Sequence, residues 1–111
     1  PFGRTAIADG VSWGTYPIAG SWLSLHLWEH FLFTRDTAYL REKAWPVMKE
    51  SAEFMQGFLI KDKQGYWVTA PSTSPENAFK LPNGKVFGLT YGATMDIQIT
   101  RALFEACRTA S

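Results

Sequence analysis

Apolar residues recur with a helical period in three stretches of the chain, and each stretch carries them differently. From about Ala19 to Phe33, "AGSWLSLHLWEHFLF" spreads Trp22, Leu23, Leu25, Leu27, Trp28, Phe31, Leu32 and Phe33 around almost the whole helical circumference. A helix apolar on all sides predicts burial on all sides. Thr34-Arg35-Asp36 then forms a short connection, with Asp36 suited to cap the next helix. That helix runs to about Leu59 and repeats Leu40, Ala44, Val47, Met48, Ala52, Met55, Phe58 and Leu59 at three- and four-residue spacing. Arg41, Glu42, Lys43, Lys49, Glu50 and Glu53 occupy its other face, so it is amphipathic and faces water. Pro46, inside the pattern, either starts a new helix at its first turn or kinks the old one.

Beyond this the pattern shortens. "KDKQG" (61–65) reads as a turn and "YWVT" (66–69) as a short strand. Asn83-Gly84, between "FKL" and "VFG", signals a hairpin, because the pair tolerates the positive φ angles of a two-residue turn. A third helix runs from about Thr94 to Arg108, apolar on several sides through Met95, Ile97, Ile99, Leu103, Phe104 and Cys107. The order is a buried helix, a solvent-facing helix, a long decorated loop and another buried helix. It suits a toroid of inner and outer helices whose functional residues ride on the loops at one mouth. Three helices cannot close such a ring.

Composition narrows the partners. The chain has 111 residues, 46% apolar and 15% aromatic, enough for a dense core. Eleven basic and ten acidic side chains give a formal charge of +1 with no basic stripe, so nucleic acid is not an expected partner. Cys107 is the single cysteine, which excludes an internal disulfide and a multi-cysteine zinc site and predicts a packing role. No apolar run reaches the roughly 18 to 20 residues needed to span a bilayer. Pro1-Phe2-Gly3 carries neither an initiator methionine nor a signal-peptide pattern, and the expectation is a piece cut from a longer chain.

Three groups of residues have the makings of chemistry. "HLWEH", residues 26–30, fits H-x-x-E-H, in which two histidines one helical turn apart bind zinc and Glu29 serves as base. Glu105 is a conceivable third ligand. The long-stranded α/β context of such a site is absent, so His26 and His30 equally suit hydrogen-bonded polar groups on a packed helix, with Glu29 as a structural or substrate partner. "TAPSTSPENAF", residues 69–79, is too broken for a helix and too polar for a core. Thr73-Ser74-Pro75-Glu76 fits a capping box, yet Pro82 stops any helix within two turns and no apolar run follows. Alternatively Glu76, on a loop stiffened by Pro71 and Pro75 and close to Tyr66, Trp67 and Phe79, is partly desolvated. Its pKa would then rise as a general acid requires. Finally, Trp13, Tyr16, Trp22, Trp28, Trp67 and Tyr91 mix aromatic faces with polar neighbours, as carbohydrate sites do, although most such rings pack in cores. Trp13, between Gly10 and Gly14, is the ring best placed for a ligand.

Three longer blocks carry a resemblance. "YPIAGSWLSLHLWEHFLFTRDTAYLREKAWPVMKESAEF", "GYWVTAPSTSPENAF" and "YGATMDIQITRALFEA", in that order and spacing, resemble the catalytic domain of glycoside hydrolase family 95, the α-L-fucosidases. The resemblance implies a mainly α fold in which residues 1–111 are a fragment of one (α/α)6 barrel, its long loop containing short β-strands. It also implies inverting hydrolysis of terminal α-L-fucose, typically α-1,2-linked to galactose, or of related L-galactosides. The substrate would be a fucosylated oligosaccharide or glycan, with no cofactor and no metal, in a secreted, periplasmic or cell-surface enzyme. The glutamate of the family's S-P-E-N block is its general acid, which matches Glu76. Trp13, His30, Asn77 and Asp96 are the residues expected to bind substrate, Asp96 being equally suited to a structural role near the barrel mouth. The family's water-activating groups, an Asn pair upstream and an Asp well downstream, lie outside this chain. The 111 residues alone are therefore expected to be inactive and to need the remainder of the domain. A zinc metalloprotease fragment, a non-catalytic helical module and related (α/α)6 enzymes such as sugar phosphorylases are the alternatives.

Overall fold

The structure, a computed structural model, describes residues 14–111. Its helical elements are α1 (Ala19–Thr34), α2 (Thr37–Tyr39), a π-helical turn (Leu40–Ala44), α3 (Trp45–Phe58) and α4 (Thr94–Ala110). Six short strands lie between the last two helices: β1 (Leu59–Lys61), β2 (Trp67–Thr69), β3 (Ser72–Thr73), β4 (Phe79–Lys80), β5 (Val86–Phe87) and β6 (Leu89–Thr90). The described residues are thus mainly helical, as expected, with their strands confined to one long excursion.

Local chemistry explains the boundaries. Arg35 ends α1 in the left-handed region and donates its backbone N–H to Phe31 at 2.8 Å. Asp36 caps α2 as expected, its Oδ1 accepting from the Tyr39 N–H at 2.9 Å. Pro46 has no N–H for the carbonyl of Glu42, and the chain responds just upstream. The turn Leu40–Ala44 widens so that the Trp45 N–H bonds to Leu40, five residues back, and Pro46 enters the first turn of α3.

α1, α3 and α4 pack around Ile18, Ala44, Met48, Ala52, Met55, Ile99, Leu103 and Ala106. Near the end of α4, Cys107 donates its S–H to the carbonyl of Met48 near the start of α3 at 3.6 Å, so these two helices run antiparallel. At the start of α4, Met95 accepts a hydrogen bond from the Tyr16 hydroxyl at 3.6 Å, just before α1 begins. α1 and α4 therefore run the same way.

Within the described residues α1 is covered on one side only. Its fully buried residues are Ser21 and Ser24, whereas Trp22, Leu23, Leu32 and Phe33 are 45%, 64%, 40% and 83% exposed. Small side chains allow close approach: Ser51 of α3 donates to Ser21 at 3.0 Å, and Ser24 donates to Ser51 at 3.4 Å. The other helices cover one side of α1, against which Leu25, Leu27 and Trp28 also pack, while Trp22, Leu23, Leu32 and Phe33 stay exposed.

The strands form three antiparallel pairs, β1 with β2, β3 with β6, and β4 with β5. β1 was hidden in the apolar tail of the second helix. Leu59 turns extended, and Leu59, Ile60 and Lys61 lie opposite Thr69, Val68 and Trp67. The expected hairpin is present, with Phe79 opposite Phe87 and Lys80 opposite Val86. Its turn is longer than two residues, however. The Gly84 N–H bonds to Leu81 and the Leu81 N–H to Lys85. Pro82 sets the first bend, so Gly84 takes the positive φ, at 84°, while Asn83 keeps an ordinary one.

Candidate active site

Antiparallel α3 and parallel α1 and α4 bring the roots of the strand excursion to the start of α4. The excursion is rooted there by a buried polar cluster. Asp96, in the first turn of α4, is 1% exposed. Its Oδ2 accepts from the Ser72 hydroxyl at 2.7 Å and from the Thr69 hydroxyl at 3.2 Å. Ser72 Oγ in turn accepts from the Ala93 N–H at 2.9 Å, one of the donors that a helix start leaves without an intrahelical partner. A second tie runs from the Gly92 N–H to the Thr69 carbonyl at 2.8 Å. Gly92 has φ 61°, and a Cβ there would sit 3.2 Å from Val68 Cγ1, so glycine suits both the turn and the approach.

Above this root the chain turns sharply. The Asn77 N–H bonds to the Ser74 carbonyl at 2.6 Å and Asn77 Nδ2 donates to Ser74 Oγ at 3.2 Å. No helix starts at Thr73, so the capping-box alternative does not describe this segment. Thr73, Ser74, Pro75, Glu76, Asn77, Ala78 and Gly88 line a half-open hollow of about 230 Å³. Glu76 and Asn77 are exposed on it. Tyr66, Trp67 and Phe79, expected around the carboxylate, do not line it; they are exposed elsewhere on the excursion, and the hollow is edged by small and polar groups instead.

The electrostatics centre on Asp96. Burial pushes its carboxyl above the ordinary value of 3.8, although the hydroxyls of Ser72 and Thr69 pull the other way, and Oδ1 is buried without a partner. Burial, and then the Asp96 charge, raise the Tyr16 phenol. The folded state holds the Asp96 proton more tightly than the unfolded one. This site's contribution therefore favours the fold below pH 3.8 and is lost as pH rises from there through the raised value. Asp96→Asn removes that loss. In the full-length protein, denaturant midpoints across that window should move in favour of the variant as pH rises. A shift towards the wild type would mean that the two hydroxyls outweigh burial.

The other expected site residues are dispersed. Asn77 stands beside Glu76. Asp96 lies beneath the loop with its reachable oxygen bonded to Ser72 and Thr69, and burial fits its structural role better than contact with a substrate. His30 lies on α1. It is exposed and packs against Tyr39 with ring centroids 4.3 Å apart and ring planes tilted by 49°, about 17 Å along α1 from Ala19 at 1.5 Å per residue. That places it well along α1 from the end where Tyr16 meets Met95 at the start of α4. Trp13 lies outside the described residues. His26 bonds to the Leu23 carbonyl at 3.1 Å, and Glu105 pairs with Arg101 at 2.9 Å. Among the described residues no three His, Cys, Asp or Glu side chains gather where one ion could join them, so the H-x-x-E-H pair finds no third ligand there. Of the aromatic set, Tyr16 and Trp28 pack against the core, while Trp22, Trp67 and Tyr91 are exposed. Sequence reasoning missed Thr69 and Ser72. Their signal was two hydroxyls three residues apart in a segment with no helix to cap.

Comparison with known proteins fits this arrangement. The profile described as "Glycosyl hydrolase family 95 catalytic domain" matches residues 1–111. A protein named "Alpha-L-fucosidase 2" from Arabidopsis thaliana is 40% identical over 99 residues, 89% of this chain and 12% of its own length. "Probable alpha-fucosidase A" from Aspergillus niger is 39% identical over 93 residues, 81% of this chain and 12% of its own. A shorter similarity, 35% identity over 43 residues, links 39% of the chain to 6% of "Kojibiose hydrolase" from Flavobacterium johnsoniae. The chain thus spans 12% of the length of the two fucosidases it resembles. With a matched profile running from Pro1 to Ser111, this chain belongs to the catalytic domain of glycosyl hydrolase family 95.

Proposed function

We propose that residues 1–111 form part of an (α/α)6 barrel in an enzyme that removes terminal α-L-fucose from glycans, most directly α-1,2-linked fucose, with inversion. Glu76 is its general acid. The observation that carries this reading is the hollow itself. Within a chain matched throughout to a glycoside hydrolase catalytic domain, Glu76 and Asn77 stand exposed on a loop whose root is tied to a buried cluster at the start of α4. The carboxyl of Glu76 protonates the glycosidic oxygen as the bond to fucose breaks. The Asn77 amide offers both a donor and an acceptor to sugar hydroxyls, and the indole of Trp13 offers a face for stacking. An inverting site places its second group across the sugar, about 6.5 to 9.5 Å away, leaving room for a water. That group comes from elsewhere in the domain, as do the side chains that cover the exposed face of α1 and dry the hollow. The test removes the acid. Glu76→Gln in the full-length enzyme should all but abolish fucose release from a fucosyl-α-1,2-galactose linkage, and a variant that keeps most of its turnover overturns the assignment.

A further inference from the structure

We propose that Asp96 is a positioning residue for the acid: through Ser72 and Thr69 it locks the root of the loop that carries Glu76 to the first turn of α4. This inference rests on the reading of Glu76 above. The mechanical link is short. Ser72 and Thr73 are 0% and 3% exposed, and Glu76 follows Ser72 by four residues. The Ser72 hydroxyl is fixed at both ends, donating to Asp96 Oδ2 and accepting from the Ala93 N–H, so its orientation records that of α4. Thr69 ties the incoming strand to the same oxygen. On the return, β6 pairs with β3, Thr90 opposite Ser72 and Leu89 opposite Thr73, which clamps the loop from the other side. Between the clamp and the carboxylate, Pro71 and Pro75 remove freedom in φ, and the two Asn77–Ser74 bonds close the turn. A shift at Asp96 therefore has few joints in which to dissipate before it reaches Glu76. No substrate atom needs to touch Asp96 for it to control the reaction, because misplacing a reacting group by about 1 Å costs on the order of 100-fold in rate.

The experiment compares two leaving groups in the full-length enzyme. A fucosyl-α-1,2-galactose linkage needs the proton from Glu76, whereas α-L-fucosyl fluoride releases an anion that departs without full protonation. The ratio of the two kcat values does not depend on the fraction of enzyme that is folded, so a merely structural role leaves it unchanged. Asp96→Ala and Ser72→Ala are expected to lower kcat on the galactoside by roughly 10- to 100-fold, with the fluoride rate changed by less than about threefold and KM little altered. Asp96→Asn, whose amide oxygen still accepts from Ser72, should recover most of the loss. Should Asp96→Ala fail to fold, Ser72→Ala carries the test, because it leaves the carboxylate in place. Equal losses on both substrates, or no loss in either alanine variant, would overturn the inference. Glu76→Gln, assayed alongside, separates the two ideas. If it fails to split the substrates, the acid assignment itself has failed; if it splits them and the Asp96 and Ser72 variants do not, only the positioning role has.

Discussion

Glu76→Gln in the full-length enzyme is expected to lower kcat on a fucosyl-α-1,2-galactose linkage by about 1,000-fold, near the middle of the range for losing a general acid. The substitution changes little else. Glutamine matches glutamate in shape, and Glu76 is exposed on an open hollow, so neither packing nor a buried charge is disturbed. KM should hold within a few-fold, because the proton is transferred in the transition state and contributes little to ground-state binding. The same variant should hydrolyse α-L-fucosyl fluoride at a rate within about tenfold of the wild type, because fluoride departs with little help from an acid. Comparable losses on both substrates would mean that Glu76 binds or orients the sugar and that the proton comes from elsewhere.

The largest effect on stability is expected at the contact between helices. Leu103 is 0% exposed on α4 and packs in the same cluster as Met48, Met55 and Ile99. Leu103→Ala removes apolar atoms from water-free surroundings and leaves a cavity that rigid helices collapse only in part. The expected cost is about 3 to 5 kcal/mol, read from the denaturant midpoint of the full-length enzyme. Breaking the Lys49–Glu53 pair on α3 with Lys49→Ala gives the contrast. Both side chains are more than half exposed, so solvent screens the pair and its loss should cost about 0.5 kcal/mol or less. If the two variants behave alike, the cluster around Leu103 is not the core that holds α1, α3 and α4 together.

What the sequence made legible was mostly local. Asp36 as a cap, the break at Pro46, the water-facing side of α3 and the hairpin around Asn83-Gly84 each follow from a few neighbouring residues, and each is present. The misses came from contacts between distant parts. Apolar side chains all around α1 gave no hint that Ser21 and Ser24 would face the other helices, because close approach rewards small residues that hydropathy does not weigh. β1 was hidden because "FLI" continues the apolar run of the preceding helix, and only its pairing with Trp67–Thr69 makes it a strand. The site divides in the same way. Glu76 and Asn77 stand out as polar residues in a segment that cannot form a helix, whereas the tie from Asp96 to Ser72 and Thr69 spans 24 and 27 residues and no local pattern records it.

The most direct test of the account is the anomer that the full-length enzyme first releases from a fucosyl-α-1,2-galactose substrate, followed by proton NMR before mutarotation. Inversion at the fucosyl carbon predicts that β-L-fucose appears first and then equilibrates with the α form. If α-L-fucose appears first the mechanism is retention, and a covalent nucleophile would replace the water across from Glu76. If no fucose is released, the proposed activity itself is contradicted.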